Sequence, residues 1–204
     1  MGASVTFIVS GAVEGPLDEA VLRVLLNHVG LKSGSIYGKD GKPYLQKKVK
    51  GYNRAAYYAP WVIIIDLDHD AECAPALRQS WLPDPAPCMF LRVAVRKIEA
   101  WLLGDQNHIA SFLGIPESKV PMSPERLDDP KQVMVSLASR SRRRDIREDM
   151  VPRPGSGRTV GPAYTSRLIE FVSDFRSGWR PDAAAENSDS LNRCLGRLKS
   201  LLKK

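Results

Sequence analysis

The stretch Trp61-Val62-Ile63-Ile64-Ile65 decides the fold, because a continuous run of apolar, mostly β-branched residues predicts a strand that is covered on both faces. The run ends directly in Asp66-Leu67-Asp68, so a buried strand delivers two acids at its carboxyl end. Val5-Thr6-Phe7-Ile8-Val9 has the same character and predicts a first strand, which a turn over residues 11–16 follows.

Further strands and helices alternate along the first half of the chain. Strands that alternate with helices imply right-handed crossovers and a mostly parallel sheet. We therefore expect an α/β protein with a parallel sheet of about four strands, flanked by helices. The remaining predicted elements are, in order, a helix over residues 18–30, a strand over 35–37, helices over 44–58 and 74–81, a strand over 90–95 and a helix over 98–103.

The strand signals stop beyond residue 105. Helical periodicity continues over residues 164–175 and 191–202, with loops between. We expect residues 1–105 to form the main domain and residues 106–204 to form a basic extension of helices and loops packed on it.

The composition excludes several classes of protein. A chain of 204 residues with 43% hydrophobic content can bury a full core, and no apolar run is long enough for a membrane span. The first apolar run lacks a preceding basic segment, so it indicates a strand and not a signal peptide. The three cysteines show no metal-ligand spacing and the three histidines are scattered, so the sequence suggests neither a disulfide framework nor a zinc site and favours a reducing cytoplasm.

The net charge of +7 favours a polyanionic partner, and the arginines are concentrated in one window. Arginine binds phosphate through its planar fork, so this window is a candidate nucleic-acid contact. A solvated helical face paired with Asp145, Glu148 and Asp149 explains the window equally well. The candidate nucleic-acid-binding residues are Arg140, Arg142, Arg143, Arg144, Arg147 and Arg158.

Carboxylates follow three of the predicted strands. Glu14 follows the first strand, Asp66 and Asp68 follow the third, and Glu99 follows the fourth. Residues i and i+2 of a strand point to one side, about 6.5–7 Å apart, so Asp66 and Asp68 can aim at one centre. Asp18 lies one helical turn beyond Glu14 and can face the same centre.

Converging carboxylates require a counter-charge. Two of them about 4 Å apart repel by roughly 4 kcal/mol at an effective dielectric near 20. A hard divalent ion such as Mg²⁺ takes oxygen ligands and bridges to substrate phosphates, which resolves the repulsion best. The alternative is that these acids cap helices or pair with Arg92 and Arg96. The position of the acids at strand ends favours metal binding over these structural roles.

The run Val13-Glu14-Gly15-Pro16-Leu17-Asp18-Glu19, followed later by Ile65-Asp66-Leu67-Asp68, resembles the Toprim domain of topoisomerases, primases and OLD-family nucleases. The hallmark of that domain is a glutamate after strand one and a D-x-D after strand three. The resemblance covers about the first hundred residues and implies a Toprim-like, Rossmannoid sheet. Arg96-Lys97-Ile98-Glu99-Ala100-Trp101 and the region after it resemble a bacterial Toprim-like family catalogued as a domain of unknown function.

The resemblance implies roles for individual residues. Glu14, Asp66 and Asp68 match the catalytic and metal-binding acids, and Asp70 is an extra candidate ligand. Asp18 and Glu99 occupy places comparable to further acids of OLD-type nucleases. Lys131 matches a later lysine that supplies charge near the scissile phosphate.

Two departures from the family pattern stand out. Leu17 replaces a hydroxyl residue that caps the helix in related sequences, so Asp18 is a candidate cap as well as a candidate ligand. The chain has no P-loop pattern, so regulation by ATP requires a separate ATPase chain.

Together these features predict a Mg²⁺- or Mn²⁺-dependent nuclease with Glu14, Asp66, Asp68 and Lys131 as its catalytic residues. DNA is favoured over RNA as substrate, and the resemblance alone suggests phage defence or DNA repair. The alternative is a non-catalytic regulatory subunit that binds metal and nucleic acid and acts with a partner ATPase. A third function is primase-type nucleotidyl transfer or strand passage. No membrane partner is expected, and a homodimer stays open.

Overall fold

The computed structural model describes residues 8–203 of the chain and has an α/β fold. Its four strands are all parallel and lie in the order β2-β1-β3-β4, so the predicted fold class is confirmed. The strands are β1 at Ile8–Val13, β2 at Lys32–Gly38, β3 at Trp61–Asp66 and β4 at Met89–Ala94.

Helices connect the strands and make up most of the later part of the chain. Proline occupies the first turn of several of them, where its missing N–H has no partner to lose. The α-helices are α1 at Pro16–His28, α2 at Lys42–Ala55, α3 at Ala74–Trp81, α4 at Ile98–Gly104, α5 at Gln106–Leu113, α6 at Pro130–Ser139, α7 at Arg144–Met150, α8 at Tyr164–Ser173, α9 at Pro181–Glu186 and α10 at Asp189–Lys199. Short 3₁₀ turns cover Glu117–Lys119, Pro124–Arg126 and Ser200–Lys203.

The first strand differs from its prediction. Residues 5–7 lie outside the described residues, and β1 runs on to Val13 through the region predicted as a turn. Gly11, which suggested the turn, pairs with Ile36 on one side and Val62 on the other. A Cβ at Gly11 would lie only 2.6 Å from Leu22 Cδ2, so this glycine serves close packing of α1 on the strand. Glu14 consequently stands directly after the end of β1.

The described residues form two compact units. The first comprises residues 8–93 and 193–203, and the second comprises residues 94–192. The expected boundary at residue 105 falls inside the second unit. Residues of α10 from Arg193 onward belong to the first unit, so that unit is built from two separate parts of the chain.

Each unit has its own apolar interior. In the first, Ile63, Ile64 and Ile65 have no exposed surface, as expected for a strand covered on both faces. In the second, Trp101 and Trp179 are buried with their indole nitrogens bonded, because Trp101 Nε1 donates to Ser190 Oγ at 2.7 Å and Trp179 Nε1 donates to the Trp101 carbonyl at 3.2 Å. No helix within residues 8–203 is both long and apolar enough to cross a membrane.

Candidate functional site

The acids predicted at the ends of β1 and β3 lie together. Glu14 follows β1, and its Oε1 atom accepts a hydrogen bond of 2.8 Å from the backbone N–H of Asp66, the last residue of β3. This bond ties the two strand ends and fixes one oxygen of Glu14. Asp68 and Asp70 follow on the loop after β3.

A lysine that the sequence analysis did not single out lies among these acids. Lys42 Nζ donates to Asp68 Oδ2 at 2.6 Å, to Asp70 Oδ2 at 2.8 Å and to the Asp66 carbonyl oxygen at 2.8 Å. It also lies 3.9 Å from Glu14 Oε1. An ammonium has three donors, so these bonds use all of them. We call Glu14, Lys42, Asp66, Asp68 and Asp70 the carboxylate cluster.

The loop before α2 delivers Lys42 to this position. Lys39 N–H donates to the Val13 carbonyl and Gly41 N–H to the Glu14 carbonyl, each at 3.0 Å, so the loop wraps the end of β1. Gly38 has φ of 90°, and a Cβ there would lie 2.2 Å from the Val13 carbonyl oxygen, so only glycine fits. Backbone hydrogen bonds and the close approach at Gly38 therefore hold the loop against the end of β1.

Asp68 has a left-handed backbone with φ of 47°. This conformation is uncommon for residues other than glycine, although aspartate tolerates it better than most. Such conformations persist where the surroundings hold them in place and often occur at functional sites. Here the Lys42 bond to the Asp68 carboxylate supplies one restraint.

The electrostatics of the cluster are those of a site with excess negative charge. Burial raises the pKa of Glu14 above its usual value, and it outweighs the Asp66 N–H and the Lys42 charge, which both lower that pKa. Burial acts to lower the pKa of Lys42, but bonds to Asp68 and Asp70 and the charge of Glu14 more than offset it, so the pKa is raised. Lys42 therefore stays protonated and attracts three carboxylates.

The donor chemistry of the cluster fits a hard divalent cation. The Lys42 ammonium is a cation held only by carboxylate and carbonyl oxygens, and Mg²⁺ prefers the same oxygen ligands. In the described residues, no group of three or more His, Cys, Asp or Glu side chains is arranged as a metal site. The Lys42 ammonium lies between these oxygens. A divalent ion could bind the same oxygens only if the lysine side chain moved aside.

Asp18 belongs to the first turn of α1 and is buried. Its Oδ2 atom would lie 3.1 Å from a Cβ placed on Gly15, the residue that precedes the helix. Negative charge at this end of a helix is stabilised by the helix dipole. The N-cap residue of α1 is Gly15 and not Asp18, so Asp18 contributes negative charge in the first turn instead of capping the helix.

Glu99 and Lys131 lie in the second unit and contact one another. Glu99 is 2% exposed, accepts a bond of 3.2 Å from the Tyr164 hydroxyl, and lies 3.7 Å from Lys131 Nζ. Burial raises the pKa of Tyr164, and the Glu99 charge raises it further, so the hydroxyl keeps its proton and donates a hydrogen bond to Glu99. We call Glu99, Lys131 and Tyr164 the Glu99 cluster. Tyr164 left no signal in the sequence, because it lies far along the chain from Glu99.

The arginine window divides into paired and unpaired members. Arg143 pairs with Asp145 at 2.6 Å, Arg144 pairs with Glu148 at 2.7 Å, and Arg147 Nη1 donates to the Ser141 carbonyl at 2.5 Å. Among the candidate nucleic-acid-binding arginines, all of which lie in the part of the chain that the structure describes, Arg140, Arg142 and Arg158 are exposed and form no ion pair with a carboxylate.

The acids near this window are also engaged by an arginine that the sequence analysis did not consider. Arg167 bonds to Asp149 at 2.7 Å and to Asp145 at 3.1 Å. The expectation of a solvated, ion-paired face therefore describes part of the window, and Arg140, Arg142 and Arg158 are the exposed remainder.

Comparison with known proteins adds no relative: no family model matches the chain, and neither the curated proteins nor the solved structures contain a match.

Proposed function

We propose that the protein is a divalent-metal-dependent phosphodiesterase of Toprim-like type that cuts nucleic acid at the carboxylate cluster. One observation carries this proposal: the carboxylates of Glu14, Asp68 and Asp70 lie 3.9, 2.6 and 2.8 Å from one cationic atom, Lys42 Nζ, at the carboxyl end of the sheet. Ligands of open parallel sheets bind at that end. The Glu14 and D-x-D motifs of the Toprim resemblance fall in the same cluster.

Glu14, Asp66, Asp68 and Asp70 would hold the ion, which we take to be Mg²⁺ or Mn²⁺. A bound ion would supply Lewis acidity that activates water and offsets the charge of the phosphate. The cluster is partly exposed, since the Asp68 and Asp70 side chains retain 32% and 46% of their accessible surface, so a phosphodiester can reach it.

Glu14 is the group best suited to carry a proton. Its pKa is raised by burial, while the Asp66 N–H holds Oε1 in place, so its other oxygen would be a stronger base than that of an unperturbed carboxylate. A carboxylate with a normal pKa is a weaker base for this step.

Lys42 would change partners during the reaction. In the described arrangement its ammonium pairs with the acids, and it would have to move away from them for Glu14, Asp66, Asp68 and Asp70 to hold an ion. Its ammonium would then be close enough to donate to an oxygen of the phosphate and stabilise developing negative charge.

The remaining features of the proposal come from the charge distribution and the family resemblance. Arg140, Arg142 and Arg158 would contact phosphates outside the cut position, with DNA favoured over RNA. A separate ATPase chain would supply regulation, and cysteine usage favours the cytoplasm. Phage defence or DNA repair would be the setting.

One observation favours a second function, a regulatory subunit that binds nucleic acid without cutting it. Lys42 already gives the cluster an internal cation, as a permanent ion pair would. In that case the protein binds nucleic acid in a salt-dependent manner and leaves it intact.

Cleavage assays on the full chain decide between these functions. With Mn²⁺ or Mg²⁺, we expect degradation of single-stranded or plasmid DNA, and a loss of at least about 100-fold in rate for Asp68→Asn and Glu14→Gln. Asp84→Asn is the matched control, because Asp84 is an exposed acid outside the cluster. Wild-type rates in both cluster variants, or cleavage in the presence of a chelator, would refute the mechanism.

A further inference from the structure

Three arginines line one cavity of the first unit. No residue of the carboxylate cluster lines this cavity. Arg78 comes from α3, Arg92 from the edge strand β4, and Arg197 from the end of α10. Each lines the cavity, whose remaining wall is apolar and includes Leu82, Met89 and Phe90. We call the cavity that these three arginines line the arginine cavity.

The arginines carry no acid partner there. In the part of the chain that the structure describes, none of the three forms an ion pair with a carboxylate. Arg92 Nε donates to the Leu91 carbonyl at 3.0 Å, which leaves its terminal N–H groups available to the cavity. The Arg197 guanidinium lies 4.8 Å from the Phe90 ring centroid, and this cation–π contact holds it over the apolar wall.

Like charges gathered in this way oppose one another. Burial lowers the pKa of Arg92, and the neighbouring charges of Arg78 and Arg197 lower it further. The nearby thiol of Cys194 offers no counter-charge near neutral pH, because burial raises its pKa to about 12. A partly buried guanidinium beside two others is stabilised when an anion joins them.

The size of the cavity limits the anion. Its volume is about 100 Å³, whereas pockets for drug-sized ligands measure roughly 300–1,000 Å³. A cavity of this size suits a small oxyanion better than a nucleoside. Three positive charges favour a dianion, and guanidinium forks match phosphate oxygens in bidentate geometry.

We propose that Arg78, Arg92 and Arg197 form a binding site for a terminal phosphate group. The phosphate would accept bonds from the free N–H groups of the three arginines and relieve their mutual repulsion. Its source is either a small phosphorylated molecule or the phosphorylated end of a nucleic acid. The site does not depend on the carboxylate cluster being catalytic.

Inorganic phosphate added to the full chain tests the site directly. We expect saturable binding by calorimetry, and a higher melting temperature in sodium phosphate than in sodium chloride of equal ionic strength. Arg92→Gln should weaken phosphate binding about ten- to hundred-fold, since each charge-assisted bond contributes strongly. Arg78→Gln, at an exposed position, should weaken it in the same direction and covers the case in which Arg92→Gln does not fold.

The control is Arg54→Gln, because Arg54 is an exposed arginine of the same unit outside the cavity. Its phosphate affinity should equal that of the wild type. Without phosphate, Arg92→Gln should melt no lower than the wild type, since it removes a repelling charge. Equal phosphate effects in all variants, or no difference between phosphate and chloride, would overturn the proposal.

Oligonucleotides with and without a 5′-phosphate separate the two sources. Stronger binding of the phosphorylated strand, lost in Arg92→Gln, assigns the site to nucleic-acid ends. Binding of inorganic phosphate with no preference between the two strands assigns it to a small phosphorylated molecule. Both results support a phosphate site.

Discussion

The carboxylate cluster and the Glu99 cluster both join a glutamate to a lysine, yet they differ in charge balance and access. In the carboxylate cluster, one ammonium faces the carboxylates of Glu14, Asp68 and Asp70 on a partly exposed surface. In the Glu99 cluster, one buried carboxylate meets a lysine and a tyrosine hydroxyl. Unbalanced charge that a ligand can reach indicates a binding site, whereas satisfied charge in the interior indicates stabilisation of the fold.

The largest expected difference between the clusters is in stability. Glu99→Ala leaves the buried Tyr164 hydroxyl without an acceptor and opens a cavity, so we expect a loss of about 2–4 kcal/mol in the free energy of unfolding. Urea denaturation measures this loss. Lys131→Met is the comparison variant and should lose less than Glu99→Ala, because Lys131 is 41% exposed and Glu99 keeps the hydrogen bond from Tyr164.

The Glu99 variants also test the family resemblance, which assigns Glu99 to the metal site. Glu99→Gln retains an acceptor for Tyr164 and should keep its rate of metal-dependent cleavage. A loss of cleavage as large as that of Asp68→Asn, without a loss of fold, would place Glu99 among the catalytic groups. The two clusters would then no longer differ in function.

Removal of the lysine from the carboxylate cluster should give the next largest effect. Lys42→Met frees the acids from their internal counter-ion, so we expect Mn²⁺ to bind at least about tenfold more tightly, which corresponds to about 1.4 kcal/mol. Calorimetry with Mn²⁺ measures the affinity. Lys47→Met, at an exposed position of the same helix, should leave it unchanged.

Lys42→Met should also lower the melting temperature in the presence of a chelator, because the acids then repel one another without a cation. Unchanged Mn²⁺ affinity together with an unchanged melting temperature would show that the lysine does not compete with an ion.

The smallest effect concerns pH. Because the folded-state pKa of Glu14 is raised, the folded protein holds this proton more tightly than the unfolded chain. Its stabilising contribution is present at low pH and is lost as pH rises through the folded-state pKa. Glu14→Gln keeps the acceptor for the Asp66 N–H and removes the buried charge. We therefore expect a slightly higher melting temperature for this variant at neutral pH and a smaller difference near pH 4.

Thermal scans of the wild type and of Glu14→Gln across this pH range provide the measurement. Glu148→Gln is the control, since Glu148 is exposed and pairs with Arg144 outside the cluster. A destabilised Glu14→Gln at neutral pH would mean that the Lys42 attraction outweighs burial.

The sequence predicted most of the fold because its signals are local. The buried run that forms β3 and the helix Ala74–Trp81 were identified with nearly their observed bounds. The end of β1 was wrongly predicted as a turn because glycine is common in turns. The role of Gly11 depends instead on Leu22 of α1, which packs against it. Close packing between elements leaves no trace in a short window of sequence.

The candidate site was predicted only in its acids. Motif spacing identified Glu14, Asp66 and Asp68, but Lys42 reaches them through a loop whose path depends on backbone bonds to β1. One signal was present: the first turn of α2 contains a lysine and no acid, which the helix dipole disfavours. A residue placed against its local preference often has a partner elsewhere in the fold.

The return of the chain to the first unit at its end limits how the protein can be divided. Leu195, Leu198 and Leu201 are buried residues of that unit, although they follow the whole of the second unit in sequence. A fragment cut after residue 105 would lack them and leave apolar surface uncovered. The shortest polypeptide expected to retain every described part of the sheet-bearing unit contains residues 8–93 and residues 193–203, joined by a linker.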